Sequence, residues 1–164
     1  KSNINILFMK NYINIYNNLI NLTRNKSLYQ NINTDETFSI RLMFYLIHFA
    51  FFLKIYKKSE NKKKLQEIYD YNFRQLELSI REIGYGDVSI NKKMKDYLNT
   101  FHKIILKIDG WERLNNSEKS IFFANFIGKS INLQYYVDYF DNFEKFLKNN
   151  TLNSFINNIL KFDI

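Results

Sequence analysis

Apolar residues recur every three or four positions along almost the whole chain, which is the spacing of one face of an α-helix. The pattern is most regular between residues 65 and 83, where seven apolar residues form one stripe: Leu65, Ile68, Tyr69, Phe73, Leu76, Ile80 and Ile83. Weaker stripes of the same kind predict helices over residues 4–24, 34–58, 90–108, 117–131, 133–148 and 151–162. The pattern therefore predicts six to seven helices and no strand.

The second of these helices has the most apolar middle. Residues 42–53 are apolar on all sides except at two positions, one of which is His48. A membrane-spanning helix needs about 18 such residues, so we favour a buried central helix over membrane insertion. In that position His48 is interpreted as a neutral core histidine with one or two hydrogen bonds, and a ligand or proton-transfer role is the alternative. Thr34 and Asp35 are the candidate N-caps.

Composition supports an all-α fold. The chain has 164 residues, no Cys, no Pro and only four Gly, too few turn residues for a β-sandwich or barrel. This length suits one compact domain over residues 1–164 with a core of its own. The absence of Cys also removes disulfides, thiol catalysis and Cys-ligated metals.

The net charge of +8 is uneven along the chain. Residues 1–58 carry eight Lys or Arg and two acids, so this third is the most basic. Such a surface suits anionic lipid or RNA. However, Asn, Lys, Ile, Phe and Tyr are all frequent, and A/T-rich codons encode all five. Codon bias is therefore the favoured explanation of the Lys excess, ahead of selection for charge.

Enzyme motifs are missing from the sequence. The two His residues, His48 and His102, lack the spacing of zinc-protease or di-iron ligand sets. No nucleophile elbow, phosphate loop or dinucleotide-binding loop is present. We therefore expect a protein without catalytic activity, cofactor, metal or small-molecule substrate.

The most informative stretch is a glycine-bracketed loop between the third and fourth helices. Gly84 can end the third helix, and Asp87 or Ser89 can cap the fourth. Three Lys lie in the first turns of the fourth helix, where their positive charges interact unfavourably with the helix dipole. Such an unfavourable placement suggests that the lysines have a function. An acidic side chain or a phosphate is the expected ligand, and a solvated Lys run is the alternative. The candidate partner-binding residues are Arg81, Glu82, Gly84, Tyr85, Gly86, Asp87, Lys92, Lys93 and Lys95.

This stretch resembles the signature of the ubiquinol–cytochrome c chaperone family. Residues 80–87 read Ile-Arg-Glu-Ile-Gly-Tyr-Gly-Asp, followed by Lys92-Lys93-Met94-Lys95. Upstream, Glu36-Thr37-Phe38-x-x-Arg41 is similar to the family's Asp-Thr-Phe-x-x-Arg, and His48 falls where the family has a His in its apolar helix. On this resemblance, His48, Phe38 and Arg41 are structural or core candidates. The family's usual Pro before Asp-Thr-Phe is replaced by Asp35, and Ser79 stands where Asn is common.

The resemblance implies a non-enzymatic assembly factor of the cytochrome bc1 complex. Family members bind newly made cytochrome b, in mitochondria with a small partner chaperone and near the ribosome exit. The implied location is the cytoplasmic side of the inner membrane, with peripheral contact, or the mitochondrial matrix side. The residues are compatible with this role, because an aromatic-rich chain can form a groove for an apolar client.

A second function class stays open on the residues alone. Five Lys residues lie on the fourth predicted helix: Lys92, Lys93, Lys95, Lys103 and Lys107. A row of exposed ammonium groups on one helix binds phosphate backbones without sequence preference. The alternative prediction is therefore a basic helical module that binds RNA or the ribosome.

Overall fold

The structure is a computed structural model that describes residues 2–32, 37–128, 132–158 and 162. These residues form seven α-helices and short 3₁₀ turns, so the prediction of an all-α fold is confirmed. The helices are α1 (Ser2–Thr23), α2 (Phe38–Tyr56), α3 (Lys62–Glu82), α4 (Asp87–Asp109), α5 (Asn116–Ile127), α6 (Leu133–Lys148) and α7 (Leu152–Asn158).

Helix α2 lies at the centre of the fold, as the apolar pattern predicts. Helices α1, α4, α5 and α6 all pack on it, and twelve of its residues are buried. Among the described residues, α2 is the one helix long and apolar enough to cross a membrane, but most of its apolar surface is covered by its neighbours. Burial on all sides accounts for a helix that is apolar all round.

Aromatic rings supply much of the packing around α2. Phe49 stacks on Phe101 of α4 with 5.4 Å between ring centroids, and Phe51 stacks on Phe140 of α6 at 5.5 Å. The Trp111 ring meets Phe51 edge to face at 5.3 Å, and its indole nitrogen donates to Asp141. These contacts attach α4 and α6 to opposite parts of α2 and fix the helices relative to each other.

His48 is a fully buried core residue, as predicted. Its Nδ1 lies 2.6 Å from the carbonyl oxygen of Phe44, which can only accept, so Nδ1 carries the proton. Its Nε2 accepts from the Tyr139 hydroxyl at 2.7 Å. Burial lowers the pKa of His48 to about 3, despite the opposing effect of the Phe44 carbonyl. The ring is therefore neutral: Nδ1 bonds within α2, and Nε2 joins α2 to α6.

A charged cluster joins the end of α2 to α6 and to the Trp111–Arg113 turn. The buried Lys54 ammonium lies 2.8 Å from carboxylate oxygens of both Glu112 and Glu144. Lys148 approaches Glu144 at 2.9 Å and Glu112 at 3.5 Å. Partial burial raises the pKa of Glu112, but the hydrogen bond from Lys54 and the two nearby ammonium charges outweigh it and lower the pKa to about 2.

Several details differ from the sequence predictions. Ile121 belongs to the apolar stripe from which the helix over residues 117–131 is predicted, but it is 59% exposed, and Phe123 is buried instead. Phe122, Phe123 and Ile127 form the buried face of α5, so Ile121 at the start of the apolar run is left outside. Helix α2 begins at Phe38 with Thr37 as its N-cap. The predicted caps Thr34 and Asp35 lie outside the described residues.

Candidate functional site

Two sequence segments that lie forty residues apart meet at one groove on the surface. The start of α2 contributes Phe38 and Arg41, and the end of α3 contributes Ser79 and Ile83. Helix α1 forms the third wall. The groove encloses a cavity of about 300 Å³, lined by Tyr16, Ile20, Thr23, Arg24, Phe38, Arg41, Leu42, Tyr45, Leu76, Ser79 and Ile83.

Local capping places the α2 residues at this groove. The Thr37 hydroxyl accepts a hydrogen bond from the backbone nitrogen of Ile40 at 3.3 Å, so the helix begins at Phe38. Phe38 is half-buried against the core, and Arg41, one turn later, is exposed at the groove rim. Arg41, named as a core candidate from sequence, therefore lies outside the core, as expected for a permanently charged guanidinium.

Three of the hydroxyl groups that line the groove already have partners inside the protein. The Thr23 hydroxyl donates to the Ile20 carbonyl at 2.7 Å, and the Ser79 hydroxyl donates to the Gln75 carbonyl at 3.0 Å. The Tyr45 hydroxyl donates to the buried Asn72 side chain, and burial raises its pKa well above the ordinary value. These three groups offer little to a polar ligand, and the aliphatic and aromatic residues of the walls favour an apolar one, while Arg24 and Arg41 add two guanidinium groups to the lining.

The bend between α3 and α4 adjoins this groove and is open to solvent. Every residue from Arg81 to Ser89 is exposed. Ile83 belongs to both features, because it lines the groove and is 53% exposed. It was predicted to face inward, but α3 ends at Glu82 and its apolar stripe ends with it. Val88, in the first turn of α4, is 86% exposed.

Glycine geometry shapes the bend. Gly84 has a φ of +103°, which confirms that it ends α3 in a conformation that L-residues rarely adopt. Gly86 is the N-cap of α4 and supplies no side-chain hydrogen bond. The prediction that Asp87 or Ser89 caps α4 was wrong, since Asp87 is already the first helical residue. Amides of the first turn of α4 thus have no side-chain cap.

An ion pair closes the bend. The Arg81 guanidinium lies 2.5 Å from the Asp87 carboxylate and 3.0 Å from that of Glu77, one turn earlier on α3. The hydrogen bond to Asp87, followed by the one to Glu77, raises the pKa of Arg81 further above its usual range. The carboxylate at the start of α4 also interacts favourably with the helix dipole.

The lysines after the bend divide between two environments. The Lys93 ammonium lies 4.5 Å from the centre of the Tyr85 ring, a cation–π contact that holds the ring over the start of α4. Lys92 and Lys95 are exposed and lie three residues apart, so they share the outer face of the helix. The structure thus brings together Arg81 with Asp87 and Tyr85 with Lys93, while Glu82 stays exposed.

The contribution of α1 to the groove could not be read from the sequence. Tyr16 and Ile20 belong to the apolar stripe of the helix predicted over residues 4–24, and in the structure they form one wall of an open cavity. Their spacing of four residues places them on one helix face, which is the only signal the sequence contains. In the part of the chain that the structure describes, no group of three or more acidic or His side chains could hold a metal ion.

A family model described as ubiquinol–cytochrome C chaperone matches residues 30–111, which is half of the chain. The match runs from the turn before α2 to Trp111 and includes both segments that meet at the groove. No curated protein and no solved structure gives a significant match.

Proposed function

The chain belongs to the ubiquinol–cytochrome c chaperone family, and we propose that it binds newly made cytochrome b and supports assembly of the ubiquinol–cytochrome c reductase (bc1) complex. The proposed docking site is the groove between α1, α2 and α3, extended by the exposed bend from Ile83 to Val88. The observation that carries the proposal is that both family-like segments meet at this one apolar groove.

The chemistry of the groove suits an apolar client. Cytochrome b is a membrane protein, and its helices expose apolar side chains until they are inserted and packed. A helix lying across the groove can insert side chains between Tyr16 of α1 and Leu76 of α3, as helix-in-groove complexes do. The exposed Ile83 and Val88 enlarge the apolar contact beyond the cavity itself.

The proposed role consists of binding alone. Holding an apolar segment until it packs into its complex breaks no bond, so it needs no cofactor, metal or small-molecule substrate. The proposed location is peripheral to the inner membrane, on the cytoplasmic side or on the matrix side of a mitochondrion. A small partner chaperone and the ribosome are proposed as further partners, since a client captured during synthesis meets the ribosome first.

Filling the groove tests this proposal. Ser79→Trp places a large ring in the cavity, and Ser117→Trp on the exposed start of α5 is the matched control. Each variant replaces the chromosomal copy in cells, and cytochrome b content and bc1 activity are measured. We expect both to fall with Ser79→Trp and to stay normal with Ser117→Trp.

Normal cytochrome b content with a folded Ser79→Trp protein would contradict the groove as the client site. Thermal unfolding of the purified variants shows whether the protein is folded. If deletion of the whole chain also leaves bc1 activity unchanged, the assembly role itself is wrong.

The exposed lysines of α4 favour one other function, an RNA- or ribosome-binding module. Lys92, Lys95, Lys103 and Lys107 are all exposed on this helix. Electrostatic binding to RNA would weaken steeply between low and moderate salt. Binding that shows this salt dependence and is lost when the four lysines are changed to Gln would support the alternative.

A further inference from the structure

The first half of helix α1 carries an apolar stripe that the core leaves uncovered. Ile6, Met9 and Ile13 follow one another at three- and four-residue intervals, so they share one helix face. Ile6 is 66% and Met9 56% exposed, and Ile13 is also exposed. On the opposite side of the same helix, Ile15 and Leu19 are fully buried. The helix is thus fixed to the core by one face and presents a second apolar face to the outside.

The charged residues of α1 itself are all cationic, although Glu67 of α3 accepts a hydrogen bond from the Tyr12 hydroxyl on α1. Residues 1–34 contain Lys1, Lys10, Arg24 and Lys26 and no Asp or Glu. A helix with exposed apolar residues and only cationic charges has the composition of one that lies in the surface of an anionic bilayer. A protein partner does not require the absence of acids over such a length, whereas an anionic lipid surface repels every acid placed against it.

We infer that the outer face of α1, formed by Ile6, Met9 and Ile13 with Lys10 beside it, is the surface by which this protein docks on an anionic phospholipid bilayer. The apolar side chains enter the boundary between headgroups and acyl chains, and the ammonium and guanidinium groups contact the phosphates. This names the surface behind the peripheral membrane contact proposed above.

The stripe also continues into the client groove. Tyr16 and Ile20, which line the groove, extend the series 6, 9, 13 by three and then four residues, so all five positions lie on one face of α1. A chain docked on the bilayer by this face therefore opens its groove toward the membrane. This orientation rests on the proposed function, because it brings the client site next to the bilayer into which the client inserts.

Vesicle flotation tests lipid docking without any client. The purified chain is mixed with vesicles of phosphatidylcholine alone or with about a third phosphatidylglycerol, enough to give an anionic surface. We expect flotation with the anionic vesicles and a loss of binding as salt is raised. The triple variant Ile6→Asn, Met9→Gln, Ile13→Asn should bind about tenfold or more weakly.

The matched control changes two exposed apolar residues on another surface, Leu106→Gln and Ile121→Asn, and should bind as the unchanged chain does. Three results would overturn the inference. The triple variant could bind vesicles as well as the unchanged chain does, the control variant could lose as much binding as the triple variant, or the unchanged chain could fail to bind. Self-association that the triple variant abolishes, without vesicle binding, would show a second copy on this face and would overturn it too.

The two proposals fail separately. If the chain does not bind vesicles but its groove still captures cytochrome b, only the proposal that α1 docks on the membrane is contradicted. If the chain binds vesicles but does not capture cytochrome b, only the proposal of the client site is contradicted.

Discussion

The guanidinium of Arg81 and the carboxylate of Asp87 lie 2.5 Å apart across the bend that joins α3 to α4. This ion pair spans Gly84 and Gly86, the two positions at which the backbone has the most conformational freedom. It therefore limits the shapes that the exposed bend can take beside the groove between α1, α2 and α3. Because both groups are open to water, their attraction orders the loop more than it stabilises the fold.

Arg81→Gln should free the bend without unfolding the protein. We expect little change in melting temperature but faster amide hydrogen exchange in the loop between α3 and α4, because the tie to Asp87 is gone. Arg74→Gln, an exposed change on the same helix away from the bend, is the control. Unchanged exchange rates in the Arg81 variant would show that the glycine turn holds its shape alone.

Gly84→Ala should lower the free energy of unfolding by about 1 kcal/mol or more, because Ala is strained at a φ of +103°. No atom lies within 4 Å of the added methyl group, so the cost comes from the backbone alone. Gly86→Ala, with a φ of −76° and equally open surroundings, should change stability by less than about 0.5 kcal/mol. Denaturant titration measures both, and equal costs would contradict the left-handed turn.

His48 should make the protein less stable in mild acid. Its pKa is about 3 in the folded state and about 6.5 in an unfolded chain, so only the unfolded state takes up the proton between these values. The contribution of His48 to the free energy of unfolding is fully present above about pH 6.5 and decreases as the pH drops toward 3. Between pH 7 and pH 5 the loss should be about 2 kcal/mol.

The measurement is the free energy of unfolding at pH 7 and pH 5 for the unchanged chain and for His48→Gln. The variant should be less stable at pH 7, because the hydrogen bonds to Phe44 and Tyr139 are altered, but its stability should depend less on pH. His102→Gln, at an exposed position, should keep the dependence of the unchanged chain. A His48→Gln protein with the same pH dependence would show that other groups cause it.

Lys54→Met should destabilise the protein by about 2 kcal/mol, since the buried Glu144 would then have Lys148 as its remaining cation. Changing Glu144 to Leu in the same protein should recover part of the lost stability. The double variant no longer buries a carboxylate whose Lys54 partner has been removed. Lys57→Met removes an exposed pair with Asp109 at 2.7 Å and should cost less than about 1 kcal/mol. Chemical denaturation compares the variants, and equal costs for Lys54 and Lys57 would contradict the burial argument.

The helices and the central position of α2 could be predicted because they depend on periodicity, which the sequence states directly. His48 could be assigned to the core for the same reason. Ile83 and Ile121 were misplaced because both lie at the limits of an apolar run. Whether such a residue is buried depends on where its helix ends or how closely the neighbouring helix packs, and the local sequence predicts neither.

The bend was found in advance through its glycines and lysines, but the groove beside it was not. Its walls come from α1, α2 and α3, and only the packing of these helices makes Tyr16, Phe38 and Ile83 neighbours. The cation–π contact of Lys93 with Tyr85 could not be predicted either, because the direction of a side chain after a turn depends on the geometry of the turn.

The central claim is that the groove between α1, α2 and α3 holds cytochrome b. A photoreactive amino acid placed at Ile20, in the groove, and in a separate protein at Asn125 of α5, tests this directly during synthesis of cytochrome b in cells. We predict a crosslink to cytochrome b from position 20 and none from position 125. A crosslink from position 125 alone, or none from position 20 in a protein that still supports bc1 assembly, would contradict the claim.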